Sequence, residues 1–298
     1  MNPTPALRLP VHSETARSLR LAPVWMIGVP LLFFAAFFLA PLAVVLVASF
    51  TDSHGAGLSA LTFANYARVL ADSYHWEVTL VTFRIACLTT VFSVLLGYPL
   101  AWYLVRIVRW QAWRRACVIL LVVPMLTSNI VRSFGWMVLL GRNGLVNETL
   151  LMAGQIERPI RFLGTETGIL IGMVYVLLPF VVLAVGNSLA RVDVSLEQAS
   201  ADLGAKPWET FFHVTLPLTM PGIVAGAIMV FTLAVSAYVT PALLSGGRIT
   251  VLSMLIFQQY STTFDVHYGG ALSIVLLVFT LVMVVLAGRV GTVRGGVR

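Results

Sequence analysis

The sequence predicts an all-α membrane protein that crosses the bilayer six times. Three observations carry this expectation. The chain has 298 residues, of which 59% are hydrophobic and only 10% charged, against about 25% charged in soluble globular chains. Its apolar residues fall in long runs. Its basic residues cluster in the polar segments between them, which is the pattern of membrane topology.

The runs lie at about 24–50, 78–105, 116–140, 168–187, 222–244 and 271–288. A helix needs about 20 apolar residues to cross the hydrocarbon core. A membrane barrel would alternate polar and apolar residues, and these Leu-, Val- and Ile-rich runs do not. The first run follows a tail with Arg8, Arg17 and Arg20. It exceeds the roughly 7–15 residues of a signal-peptide core, so it reads as a retained helix. Pro30, Pro41, Pro99, Pro124, Pro179 and Pro241 lie in or near the runs. Neighbouring helices can satisfy the carbonyls they free, so they predict kinks.

Twelve of the nineteen Lys and Arg residues fall in the N-terminal tail, around 106–115, at Arg191 and Lys206, and in the C-terminal tail. Five lie in the opposite loops, about 51–77, 141–167 and 245–270. This bias places both termini in the cytoplasm. The expected organisation is a cytoplasmic tail over 1–23, a first helix with an external loop over 24–77, a five-helix core over 78–288 and a cytoplasmic tail over 289–298. The net charge of +7 thus reports topology, and nucleic acid is not an expected partner. Cys87 and Cys117 lie in or beside apolar runs and imply no disulfide framework or metal site. The five histidines, His12, His54, His75, His213 and His267, read as scattered in tail or loops without metal spacing.

The cytoplasmic segment 190–221 is too polar to span. Ser195 with Gln198 fits a capping box, and Leu196, Ala199 and Leu203 share one helical face. Gly204 ends that helix. Pro207 opens a second one, with Trp208, Phe211 and Phe212 as its apolar side. Pro217 and Pro221 are expected to close it before the fifth span. Two short amphipathic helices with a fixed bend could rest on lipid or dock a soluble partner.

The segment resembles the coupling loop of membrane subunits of binding-protein-dependent ATP-driven importers. That family's pattern is Glu-Ala-Ala, three residues, Gly, nine residues, then Ile-x-Leu-Pro. It falls here on Gln198, Ala199, Ser200, Gly204, Val214, Leu216 and Pro217. The departures are Gln198 for glutamate, Ser200 for alanine and Val214 for isoleucine; Glu197, one residue early, could restore the charge. GYPLAWYLVR at 97–106, VPMLTSNIVRSFGWMVLLGRNGLVNETL at 123–150, DLGA at 202–205 and TLPLTMPGIVAG at 215–226 are similar to the polyamine-type subgroup.

The resemblance implies a type I importer permease, six helices in all, importing spermidine or putrescine. It also implies a second permease subunit, two ATPase subunits and an external solute-binding protein. The chain lacks the phosphate-binding GxxxxGK[ST] run, so no cofactor is expected on it. ATP and magnesium would sit on the ATPase, and the chain would not be an enzyme. Glu197, Gln198, Ala199, Ser200, Asp202, Leu203, Gly204, Trp208, Phe211, Val214, Leu216 and Pro217 are the expected coupling residues. Leu203, Trp208 and Phe211 would supply the apolar contact, or Trp208 and Phe211 would pack back onto their own helices.

Asn129, Arg132, Trp136, Tyr175 and Tyr238 are candidates for the translocation path. The spans carry Arg84 and Arg132 but no Asp or Glu. A polycation would favour carboxylates or aromatic faces. An opine or aminophosphonate therefore remains open as substrate, as does ferric iron. An ion-coupled secondary transporter, which would bind its ion at broken helices near the midplane, or a membrane scaffold remains as another class; the lack of carboxylates in the spans counts against proton or sodium coupling. Gly168 with Gly172, and Gly222 with Gly226, permit close helix crossings, expected within the chain.

Overall fold

A computed structural model describes residues 26–51 and 61–295. The expected tail over 1–23, part of the first external loop and the last three residues lie outside the described residues. Five helices are long and apolar enough to span: α1 (Met26–Ser49), α3 (Ser73–Ile107), α7 (Glu166–Arg191), α9 (Pro207–Ser236) and α12, whose apolar part is Val266–Arg289. A bent pair, α4 (Gln111–Leu126) and α5 (Asn129–Leu139), is long and apolar enough only when its two halves are taken together, which brings the number of apolar segments to six. Shorter helices complete the described chain: α2 (Ala64–Ala71), α6 (Leu145–Met152), α8 (Val194–Asp202), α10 (Val239–Leu244) and α11 (Leu252–Gln258).

The core is the contact of α3, α7 and α9. Ile85 and Ala86 of α3, Val181 and Val185 of α7, and Val230 and Val235 of α9 are almost fully buried. Lipid tails are as apolar as these side chains, so close backbone approach and dispersion hold the helices together. A Cβ at Gly97 would stand 2.9 Å from Val181. One at Gly222 would stand 2.3 Å from Ser188 Cβ and 2.9 Å from the Ala184 carbonyl. Gly172 packs against Leu244 and Thr240, and Gly226 against Ala184 and Val181. Both glycine pairs thus sit against this chain's own residues. α1 packs at the rim, where Gly270 of α12 meets the backbone of Val45 and Ser49.

The third span is not the continuous helix expected over 116–140. α4 and α5 meet at 102°. Pro124 lacks the amide that would bond the Leu120 carbonyl, and the helix tightens into a 3-10 turn at Val123–Leu126. Thr127 and Ser128 are then extended, and Ser128 caps α5 by accepting from the Ile130 amide. The fifth span also departs from 222–244. It unwinds at Ala237, and Leu244 belongs to the separate helix α10. The ring of Pro241 conflicts with a helical Ala237 carbonyl, and that carbonyl accepts from Ser253 Oγ at 2.6 Å instead.

Pro217 and Pro221 do not close the second loop helix. α9 runs from Pro207 to Ser236 without interruption. A π-turn at Phe211–Thr215 precedes Pro217, widening the helix where the ring would crowd the His213 carbonyl. Nor do His75, His213 and His267 lie in loops. All three are in helices. His75 Nε2 bonds the Tyr268 hydroxyl at 2.7 Å, and His267 Nδ1 bonds Thr51 Oγ1 at 2.9 Å.

Gly222→Ala is expected to cost about 1–3 kcal/mol, the usual range for overpacking. Gly28→Ala, which meets nothing within 4 Å, serves as the neutral comparison. Thermal unfolding of the two variants in detergent, followed by size-exclusion chromatography, checks the difference.

Candidate functional site

Glycine at position 204 lets the chain reverse after α8 with φ at +87°. Its amide bonds the Ala201 carbonyl at 2.9 Å, and the Ala205 amide bonds Ser200 at 3.1 Å, the paired closure of a left-handed helix end. At the other end the cap is Asp193, not Ser195. Asp193 Oδ1 accepts from the Ser195 amide at 2.9 Å. Those bonds hold the Asp193 carboxyl below its ordinary range, with help from the Arg106 charge. The capping box belongs to α9, where Glu209 Oε2 accepts from the Lys206 amide at 2.8 Å.

The helix pair is tied to the spans by a nearly buried ion pair. Arg106 at the end of α3 donates to Glu197 Oε1 and to the Val192 carbonyl, each at 3.0 Å. The Thr215 hydroxyl donates to the same carboxylate oxygen at 3.1 Å. Glu197 therefore supplies the inward charge, while Gln198 is exposed. Arg106 and Thr215 were not among the sequence candidates; Arg106 registered only as a topological charge. Ser200 Oγ meets Thr210 Oγ1 at 3.0 Å and joins α8 to α9. Tyr98 of α3 and Thr219 of α9 add a hydroxyl contact at 3.2 Å.

The outward side is open and presents apolar side chains among polar ones. Leu203 is 89% exposed and Trp208 is 58% exposed. Leu196, Ala199 and Asp202 are exposed on α8, and Pro217 is exposed on α9. Val214 and Leu216 are half-buried. Phe211 turns the other way: its ring packs edge-on against Tyr98 and Trp102, each at 5.6 Å. It belongs to the bundle and not to the open face. The α9 helix continues through this position, so its inner stripe points at α3.

The two helix breaks face one another. Met125, Asn129 and Arg132 from the α4–α5 break, and Ser236 to Thr240 from the α9–α10 break, line a cavity of about 380 Å³ with Phe180 of α7. Arg132 Nη2 donates to the Thr127 carbonyl at 3.0 Å, fixing the bend. Asn129, Arg132 and Tyr238 thus come together. Trp136 and Tyr175 do not line this cavity; their rings pack on each other at 5.1 Å. Arg84 is not a lone charge, because it pairs with Glu166 at the first turn of α7. Among the described residues no group of three His, Cys, Asp or Glu side chains could hold a metal.

Comparison with known proteins adds the following. The family model described as "Binding-protein-dependent transport system inner membrane component" matches residues 83–292. The chain is 36% identical over 228 residues to the spermidine/putrescine transport system permease protein PotB of Salmonella typhimurium, covering 76% of this chain and 78% of that one. It is 33% identical to the protein of that name from Haemophilus influenzae, over 83% of this chain and 86% of that one. A crystal structure of a bacterial ABC transporter that imports the polysaccharide alginate has a chain of the same fold. Its TM-score is 0.76 at 16% identity, over 93% of this chain and 98% of that one.

Glu197→Gln is expected to loosen α8 and the start of α9. Hydrogen bonds to charged groups contribute about 1.5–3 kcal/mol, so amide exchange over residues 194–215 should quicken by about tenfold or more. Hydrogen-exchange mass spectrometry of the detergent-solubilised chain measures this.

Proposed function

The chain belongs to the family of binding-protein-dependent transport system inner membrane components, and from that premise we propose how it works as the permease subunit of an ATP-driven importer. It pairs with a second permease subunit around a common path. Two ATPase subunits bind ATP and magnesium, and one of them docks on the open face of α8 and the first turns of α9. An external solute-binding protein delivers the solute at the opposite end. Both termini lie in the cytoplasm. ATP-driven closure moves the two loop helices as one body, and the Arg106–Glu197 pair passes that movement to α3. The bundle then rocks between inward- and outward-open states.

The observation that carries this reading is the pairing of exposed Leu203 and Trp208 with a rigid, charge-anchored helix bend. Gln198, Ala199, Ser200, Asp202, Val214, Leu216 and Pro217 complete the coupling segment. Ser200 holds its two helices together, and Gly204 sets their angle.

Spermidine or putrescine is the proposed solute, in line with the names of the relatives. The C-terminal end of α9 reaches the cavity at Ser236, and Tyr238 lines it. A helix C-terminus carries partial negative charge, and an aromatic face attracts an ammonium group. Arg132 lines the same cavity and favours a second reading, an opine or aminophosphonate whose anionic group it would meet.

Two measurements test this. The importer reconstituted in proteoliposomes with ATP inside should accumulate labelled spermidine or putrescine. Accumulation of only an opine or aminophosphonate would move the assignment to the second reading. Gly204→Val should lower uptake by about tenfold or more with insertion and assembly intact, since a β-branched residue resists positive φ. No atom lies within 4 Å of a Cβ there, so backbone strain is the cause. Gly204→Asn, which tolerates that conformation, should retain most uptake.

A further inference from the structure

At the end opposite α8, Arg142, Arg161 and Arg248 converge on an open cavity of about 300 Å³ whose floor includes Leu140, Phe162 and Gly164. All three arginines are exposed. Their frame is rigid. The fully buried Asn147 side chain donates to the Gly141 and Ile160 carbonyls, each at 2.9 Å, and accepts from the Ile160 amide at 2.8 Å. Arg142 and Arg161 each follow one of these clamped residues. Gly164 donates to the Leu244 carbonyl at 2.9 Å, and Arg248 to Ser245 at 3.1 Å, so the third arginine is joined to the same frame.

Two other arginines at this end have acidic partners: Arg68 pairs with Asp265 at 3.9 Å, and Arg84 pairs with Glu166. Arg142, Arg161 and Arg248 have no carboxylate within ion-pair distance among the described residues, and Glu148 and Glu157 of the same hairpin do not reach them. Three unpaired like charges held on one frame give this end a local positive field that draws an outside anionic group. Guanidinium groups grip carboxylates in forked pairs. The hairpin 140–165 lies between α5 and α7, outside both helices, which sets the patch apart from the spans.

We infer that Arg142, Arg161 and Arg248 form a docking site for carboxylate side chains of the external solute-binding protein. This rests on the proposed function, which places that end of the bundle outside the cell. Attraction between opposite charges would speed encounter and fix register, and release would stay possible because the site is open to water.

The test titrates the solute-binding protein encoded with this permease onto the assembled importer in nanodiscs of zwitterionic lipid. Wild-type affinity should fall as salt rises. The triple variant Arg142→Gln, Arg161→Gln, Arg248→Gln should bind about tenfold or more weakly, while the triple Lys variant keeps most of the affinity. Co-purification with the ATPase subunits checks assembly. If the Gln variant fails to assemble, the wild-type salt dependence decides: a salt-insensitive affinity overturns the inference. Undiminished binding by an assembled Gln variant overturns it alone and leaves the importer reading standing. Wild-type binding that requires anionic lipid in the disc assigns the patch to lipid and overturns it as well. No wild-type binding at any salt overturns both the inference and the function it rests on.

Discussion

Close approach of α3, α7 and α9 around Val181 is the contact on which the rest of the bundle depends. Gly97 of α3 and Gly226 of α9 both stand against that valine, and Gly222 stands against Ser188 one turn nearer the loop. In lipid, helix association draws on packing and not on exclusion of water, so small residues at the crossings decide whether it forms. The same helices carry both working regions. α3 ends in Arg106 and α9 begins in the loop. At its far end α9 unwinds into the cavity at Ala237. A displacement of the loop therefore acts on the cavity through a packed helix.

Polar groups in this chain sit where the bilayer leaves few alternatives. A carbonyl freed inside a membrane must find a donor. Thr127 finds Arg132, and Ala237 finds Ser253. Ser133 of α5 meets Thr240 of α10 at 3.0 Å and joins the two breaks. Such bonds make the breaks fixed features of the fold. Arg84 is accommodated in the same way by Glu166, which also resolves the contrast between a basic span and an absent acid.

Much of this was legible in the residues. The apolar runs located the spans, and the Gly204 spacing located the bend and its positive φ. The glycine pairs marked the crossings. What stayed hidden depended on partners far away in sequence. The runs 116–140 and 222–244 remain apolar through both breaks; Pro124 and Pro241 marked a kink in each, but nothing local marked that the kink opens into a full break with its own distant partners. Ser253 and Arg132 became informative only once their carbonyl partners were in place. For Phe211 both an open apolar contact and packing onto the chain's own helices stayed open, because the neighbours that decide it, Tyr98 and Trp102, lie more than a hundred residues earlier. Ser195 lost the cap to Asp193 because both can accept from a helix start, and two residues are within the uncertainty of any helix end.

The central claim is that the open face of α8 and α9 is covered by an ATPase and not by lipid. Replacing Leu203 with a photo-crosslinking residue in the assembled importer tests it directly. That side chain is 89% exposed and makes no contact whose loss would disturb the fold. The claim requires the crosslink to fall on the ATPase chain, with a yield that changes as ATP is hydrolysed. A crosslink confined to phospholipid, unchanged by ATP, would contradict it and leave α8 and the first turns of α9 as helices resting on the membrane surface.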